Sequence, residues 1–211
     1  MHQPRNGLWT TAQRTALLGL GSVLLGGCGD GDPEVNVLPS GVAHISRVAY
    51  PATTVGTGSS PATQDLLTAG LGKSGLISTA ALPAYADPTQ PTSSELRRNA
   101  VQSNYRGLVD ATAKGGFGTL FGPNVDLGGN ATASEGLVPG LEYLGVLDNA
   151  AGTKRVTMAV QIPDSFDVSA PCVVLAPSSG SRGVYGAIAT GAEWGLKRGC
   201  AVALTDAGKG M

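Results

Sequence analysis

The chain has 211 residues, a formal net charge of −1 and no run of basic residues, so its charge gives no indication of a nucleic-acid partner. It contains 32 glycines and only 5% aromatic residues, so an average residue brings little apolar surface to a core. No histidine pair, CxxC motif or carboxylate cluster has the spacing of a metal site, and we expect no metal.

Residues 1–27 indicate a signal peptide for export. Arg5 and Arg14 form a basic start, and the apolar run 16–25 is shorter than the roughly 20 residues that a membrane span needs. Leu25-Gly26-Gly27-Cys28 then fits the lipobox of bacterial lipoproteins, in which the cysteine is acylated. An ordinary secretory signal with an incidental cysteine is the alternative. We expect a secreted or periplasmic protein, or one lipid-anchored at the outer membrane through Cys28.

Residues 28–62 are predicted to be a tether and loop, with a short strand at 43–49. Residues 63–140 follow as a glycine-rich region with one long helix. Gly72-Lys73-Ser74 is similar to the end of a phosphate-binding loop, but that motif requires a glycine where this chain has Leu67. We predict instead a short helix that ends at Gly70 or Gly72.

The long helix is predicted over 92–114, where Thr92 and Glu95 have the spacing of a capping box. Gly115-Gly116 ends it, and Tyr105 lies beside its apolar face. That face is formed by residues at intervals of three and four: Leu96, Ala100, Val101, Leu108 and Val109. Three arginines are predicted on the solvated side: Arg97, Arg98 and Arg106.

Residues 141–211 are predicted to begin an α/β domain. Strands at 141–147 and 154–162 are joined by a short turn and predict a hairpin. A β-α-β unit follows, with a strand at 172–176, a helix at 184–198 and a strand at 200–205. The continuous apolar run of the first strand is typical of a strand covered on both faces. The buried side of the helix is predicted to contain Val184, Ile188, Trp194 and Leu196. The last strand is expected at an open, aggregation-prone edge of the sheet.

Cys172 and Cys200 start the two predicted strands of the β-α-β unit. If the strands are parallel neighbours, the two cysteines lie at the same end of the sheet. A disulfide and a pair of buried thiols are both open interpretations.

The loop after the strand at 172–176 consists almost entirely of small residues. Its backbone N–H groups would be accessible at the carboxyl end of a parallel strand, where open α/β sheets bind ligands, and ahead of a helix N-terminus. One interpretation is an oxyanion loop of the α/β-hydrolase kind, formed by Ser179, Gly180, Ser181 and Arg182. The other is a close-packed turn in which larger residues would not fit. Arg182 could bind a substrate carboxylate or a structural acid.

No catalytic triad is recognisable in the sequence. No G-x-S-x-G motif occurs. His44 precedes the whole sheet, and Asp206, at a strand end, comes too early for the triad acid, because the α/β-hydrolase order is nucleophile, acid, histidine. We therefore assign no catalytic residue within the chain.

Long stretches of the sequence resemble the bacterial 3-hydroxybutyrate oligomer hydrolases. The most specific block is SSGSRGVYGAI, from Ser178, followed by EWGLKRGCAVALTDAGKG, which ends at Gly210. Other similar stretches are DLLTAGLGKSGL from Asp65, YRGLVD from Tyr105, GGFGTLFGPNV from Gly115 and VTMAVQIPDSFD from Val156.

The resemblance implies an exported, α/β-hydrolase-like serine esterase that cleaves short (R)-3-hydroxybutyrate oligomers, a small-molecule ester substrate, into monomers. It also implies a nucleophilic serine, an acid and a histidine beyond Met211. We therefore expect a partial α/β-hydrolase-like sheet that is inactive alone. A lipid-anchored, non-catalytic binding or structural lipoprotein is the alternative function.

Overall fold

The computed structural model describes residues 41–77, 80–108, 122–149, 151, 153–179 and 182–208. The predicted signal peptide and Cys28 lie outside these residues. Within them, no helix is long and apolar enough to cross a membrane. The strands are β1 (Val42–Tyr50), β2 (Gly140–Asp148), β3 (Arg155–Pro163), β4 (Val173–Pro177) and β5 (Ala201–Thr205). The α-helices are α1 (Gly72–Leu76), α2 (Ser93–Leu108) and α3 (Glu193–Leu196).

The five strands form one mixed sheet in the order β1-β2-β3-β5-β4. β1, β2 and β3 are antiparallel neighbours, so the predicted hairpin is confirmed. β5 is antiparallel to β3 and parallel to β4, which confirms the predicted parallel pair. The prediction that the last strand lies at the edge of the sheet is wrong. β5 inserts between β3 and β4, which leaves the earlier strand β4 at the edge.

One face of the sheet packs against the helices and carries the core. Ala159, Ala176 and Leu204 lie on this face and are buried. Gly195 of α3 approaches closely, since a Cβ there would lie only 2.8 Å from a methyl group of Val202. The other face lacks such cover at β4, where Leu175 is 77% exposed. The prediction that this strand is covered on both faces is therefore wrong.

The capping box of α2 forms as predicted. The Thr92 N–H and hydroxyl donate to one Glu95 carboxylate oxygen at 2.8 and 2.7 Å, and the Glu95 N–H donates back to the Thr92 hydroxyl at 3.3 Å. Backbone hydrogen bonds from Ala86 and Thr92 lower the pKa of Glu95. The predicted end of the helix, after residue 108, lies outside the described residues.

The predicted buried face of α2 is wrong at three positions. Arg97 and Arg98 are buried, whereas Leu96 is 49% exposed. The buried stripe instead contains Arg97, Val101 and Tyr105, each four residues after the last. Arg97 is tolerated there because acceptors from distant segments bind its guanidinium group. The side chain of Arg106 lies outside the description.

A buried polar cluster joins α2 to the sheet at Glu142. Its carboxylate accepts from Arg97 Nε at 3.1 Å, from the Tyr185 hydroxyl at 2.7 Å and from Gln161 Nε2 at 2.8 Å. Burial opposes the charge of Arg97, but its interactions with Glu142, Tyr185 and Tyr50 together more than offset this, so the pKa of Arg97 is raised. The Arg97 guanidinium also lies 4.0 Å from the ring centre of Tyr50, whose pKa burial raises to about 12.

The segment around Gly72 differs from its prediction, because α1 begins at Gly72 instead of a helix ending there. Asp65 is fully buried and organises the preceding turn by accepting from the backbone N–H groups of Leu67, Thr68 and Gly70 at 2.7–3.0 Å. At the start of α1, the Ser74 N–H donates to the Glu135 carboxylate at 3.0 Å. A protein carboxylate therefore occupies one of the amides that a phosphate would need.

The helix predicted over 184–198 is broken into shorter pieces. Residues 184–187 form turns, Ile188–Ala192 is a π-helical segment, and α3 covers only Glu193–Leu196. Ile188 and Leu196 are buried as predicted, but Trp194 is 49% exposed and stacks on the Arg198 guanidinium, 4.3 Å from its ring centre.

Candidate active-site loop

The candidate loop, residues 178–183, lies where the parallel strands β4 and β5 end. The Ser178 N–H donates to the Thr205 carbonyl at 2.8 Å, which continues the β4–β5 ladder by one bond. The loop therefore begins beside Thr205 and Asp206, at the carboxyl edge of the parallel pair. This is the edge at which open α/β sheets bind ligands.

The structure places two of the four predicted oxyanion residues. Ser179 is exposed and Arg182 is half-buried, while Gly180 and Ser181 lie outside the described residues. The Arg182 carbonyl accepts from Asn104 Nδ2 of α2 at 3.3 Å. Gly183, with φ +73°, then turns the chain toward Tyr185. Asn104 and Gly183 thus fix the far end of the loop.

Close packing dominates the start of the loop. Ser178 is buried, and a Cβ added at Gly186 would collide with its hydroxyl oxygen and lie 2.9 Å from Arg182 Cβ. Only glycine fits at 186. The packing interpretation therefore holds at Ser178 and Gly186, whereas Ser179 is exposed.

The loop does not lead directly into a helix. The turns at 184–187 intervene, and the helical segments that follow have five and four residues. The predicted contribution of a helix N-terminus to anion binding is wrong for this reason. Any anion would have to be bound by the loop amides and by side chains.

Arg182 has no salt bridge with any carboxylate in the described part of the chain. Its Nη1 atom is buried and has no hydrogen-bond partner among these residues. Within the described ranges, no structural acid therefore pairs with Arg182. A substrate carboxylate as its partner stays a prediction.

Tyr185 and Glu142 support the loop from the core side, and neither was predicted from the sequence as part of the site. Tyr185 follows the loop by two residues, and its hydroxyl is held by Glu142, which also pairs with Arg97. Burial and the Glu142 charge raise the pKa of Tyr185 well above its ordinary value. No local spacing signals this arrangement, because Glu142 is 43 residues from Tyr185 and 45 from Arg97.

Asp206 lies beside the loop but is engaged by the backbone. Its carboxylate accepts from the N–H groups of Thr157 at 3.0 Å and Gly208 at 2.8 Å. His44 belongs to β1, four strand spacings or about 19 Å from β4. Among the described residues, no three potential metal ligands cluster.

A disulfide joins Cys172 and Cys200, whose Cα atoms are 4.6 Å apart. The two residues directly precede β4 and β5, so the disulfide lies at the end of the parallel pair opposite the loop. A cross-link over this sequence separation contributes about 3–4 kcal/mol to stability in the chain-entropy description. It therefore fixes the strands that present the loop.

A cavity of about 770 Å³ lies away from the loop. It is lined by Val125, Asp164, Leu196 and Lys197 among others, and it lies near the end of β3. That end of β3 pairs with the start of β5. The cavity therefore lies near the opposite ends of the strands from Ser179. We assign it no role in the chemistry of the loop.

Comparison with known proteins gives a consistent result. A family model described as 3HB-oligomer hydrolase matches residues 23–211. A D-(-)-3-hydroxybutyrate oligomer hydrolase of Burkholderia ambifaria is 59% identical over 189 residues, which is 89% of this chain and 26% of that protein. Proteins of the same name from Burkholderia mallei and Burkholderia pseudomallei are 54% identical over 197 residues, 92% of this chain and 27% of each relative. The chain thus spans about a quarter of these relatives. No solved structure matches it.

Proposed function

The chain belongs to the 3HB-oligomer hydrolase family, and from this premise we propose that it acts in the hydrolysis of 3-hydroxybutyrate oligomers to monomers. The observation that carries the proposal is the 59% identity over nearly the whole chain to a protein named for that reaction. The substrate would be a small ester, and the reaction would need no organic cofactor or metal. The chain would contribute to the reaction as part of a longer polypeptide.

We propose an α/β-hydrolase-like fold for that polypeptide. The support is the β-α-β unit at one end of a mixed sheet and the small-residue loop at the carboxyl edge of its parallel strands. Both features are consistent with a site built from loops at one edge of the sheet.

The proposed mechanism is that of a serine esterase. A serine attacks the ester carbonyl, an acyl-enzyme forms, and water releases 3-hydroxybutyrate. Backbone amides between Ser179 and Arg182 would stabilise the oxyanion, for which the support is the exposure of Ser179 at the carboxyl edge. The nucleophile, acid and histidine are expected in the portion of the relatives that this chain does not cover. We accordingly propose that the 211 residues alone do not hydrolyse the ester.

We also propose that the protein is exported and that Cys28 carries a lipid anchor. The support is the lipobox spacing of the sequence, Leu25-Gly26-Gly27-Cys28. The acylated cysteine would hold the protein at the outer membrane, while a plain secretory signal would release it.

The test uses a chimera in which this chain replaces the matching portion of the Burkholderia ambifaria relative. The chimera is expected to release 3-hydroxybutyrate from the dimer and trimer, and the 211-residue chain alone is expected to release none. Turnover by the chain alone would refute its proposed inactivity. A folded chimera that releases no product, beside an active intact relative, would refute the proposed function and favour a non-catalytic binding or structural lipoprotein.

A further inference from the structure

The sheet has a second, largely apolar face that the core does not use. Strand register and side-chain alternation place Ile45, Tyr143, Met158, Val160, Val173 and Leu175 on this face. We call it the open face. Ile45 and Val160 are 40% and 37% exposed, and Val173 and Leu175 are 63% and 77% exposed. None of the six belongs to the buried core cluster.

The open face is continuous across all five strands. One row of cross-strand partners runs from Arg47 through Tyr143, Val160 and Ala203 to Leu175. The arginine at the β1 end is the only charged residue in this row. An exposed apolar surface of this extent marks an interaction site, because soluble monomers rarely expose large contiguous apolar patches.

The most exposed part of the open face coincides with the edge of the sheet. β4 pairs with β5 on one side, and no described residue pairs with its other side. An unpaired strand presents backbone donors and acceptors to a further strand. A parallel pair such as β4 and β5 is normally covered on both faces. The surface therefore offers one partner both an apolar face and a strand edge.

We infer that the open face and the free edge of β4 are the docking surface for the remaining polypeptide of the longer family members. The chain spans about a quarter of its relatives, so roughly three quarters of their length is available to cover this surface. The row of residues from Arg47 to Leu175 contains a single charged residue, so it fits an apolar segment of that polypeptide. This inference rests on family membership and on the exposed residues, and it does not require the hydrolytic activity.

Leu175→Lys, compared between the isolated chain and the chimera described above, tests the inference. Leu175 is 77% exposed in the chain, so the lysine should change its unfolding equilibrium less than about threefold. In the chimera the lysine would be buried, and the unfolding equilibrium should shift at least about 100-fold toward the unfolded state. Val168→Lys is the matched control, since Val168 is 83% exposed and lies outside the sheet. It should change little in either protein.

Urea unfolding of the four variants gives the result without any substrate. A small effect of Leu175→Lys in the chimera would overturn the inference, because the face would then remain open. A large effect in the isolated chain that depends on protein concentration would also overturn it, because a second copy of the chain would then be the occupant. As a second measurement, the chain coexpressed with the remaining portion of the relative as a separate polypeptide should copurify with it. Failure of the two to copurify would count against the inference.

Discussion

Glu142 is the shared acceptor of the buried polar cluster that joins α2 to the sheet. Its carboxylate is 4% exposed and accepts hydrogen bonds from Arg97, Gln161 and Tyr185. These donors come from α2, from β3 and from the turn after the candidate loop. A buried ion pair adds little net stability over an apolar replacement, but removal of one partner leaves a buried charge without compensation.

Replacement of Glu142 by Gln should therefore destabilise the chain by about 3–5 kcal/mol, because Arg97 would stay buried without its counter-charge. The measurement is the free energy of unfolding in urea. Asp148→Asn is the matched control, since it removes an ion pair with Arg155 whose arginine is 66% exposed. That substitution should have a far smaller effect. Equal losses for the two variants would contradict the assigned role of Glu142.

Ser179 provides a test of the oxyanion proposal at the level of a single amide. In the chimera, Ser179→Pro removes the N–H group, and Ser179→Ala keeps it while removing the hydroxyl. Loss of one oxyanion donor typically lowers kcat by about 10²–10³. We expect a decrease of this size for the proline variant and little change for the alanine variant. Equal kcat values at matched thermal stability would exclude the Ser179 amide as a donor.

At the level of secondary-structure elements, local sequence patterns were sufficient to predict the strands and the start of α2. The strand predicted at 141–147 is observed at Gly140–Asp148, and the capping box at Thr92 forms as its spacing predicts. The orientation of α2 was not predictable. Its buried stripe contains Arg97, whose partner Glu142 is 45 residues away. The periodicity therefore failed at Leu96, which is exposed, whereas Val101 is buried and Ala100 packs against the core as predicted.

The same limit applies to the candidate loop. Its position at the carboxyl edge of β4 followed from the apolar strand and the small residues after it. The residues that hold the loop in place were not predictable from local sequence. Asn104 is 78 residues from Arg182, and Glu142 is 43 residues from Tyr185. The close approach of Gly186 to Ser178 was also not predicted, because it is a tertiary contact.

The cap of α2 leads to a prediction about pH. The folded-state pKa of Glu95 is lowered below its ordinary value of 4.5 by backbone hydrogen bonds from Ala86 and Thr92. The stability that this carboxylate contributes is complete above pH 4.5 and is lost as the pH falls through the lower folded-state pKa. Glu95→Gln should therefore be less stable than the wild type at pH 7 and should lose less stability between pH 7 and pH 3. Urea unfolding at the two pH values measures this, and parallel losses would contradict the prediction.

At the scale of the whole molecule, two features of the sheet matter: the cross-linked parallel strands and the exposed sheet face. The disulfide and the β4–β5 ladder fix the strands that carry the candidate loop. On the other face of the sheet, Val173 and Leu175 of the edge strand β4 are 63% and 77% exposed. The described part of the chain thus has its core on one side of the sheet and the inferred docking surface on the other.

The central claim is that this chain supplies the corresponding portion of a 3-hydroxybutyrate oligomer hydrolase. The most direct measurement is kcat/KM for release of 3-hydroxybutyrate from its dimer by the chimera, relative to the intact Burkholderia ambifaria protein. Since 59% of the exchanged residues are identical, we predict values within about tenfold of each other, or about 1.4 kcal/mol in transition-state stabilisation. A folded chimera without measurable release of 3-hydroxybutyrate would contradict the claim.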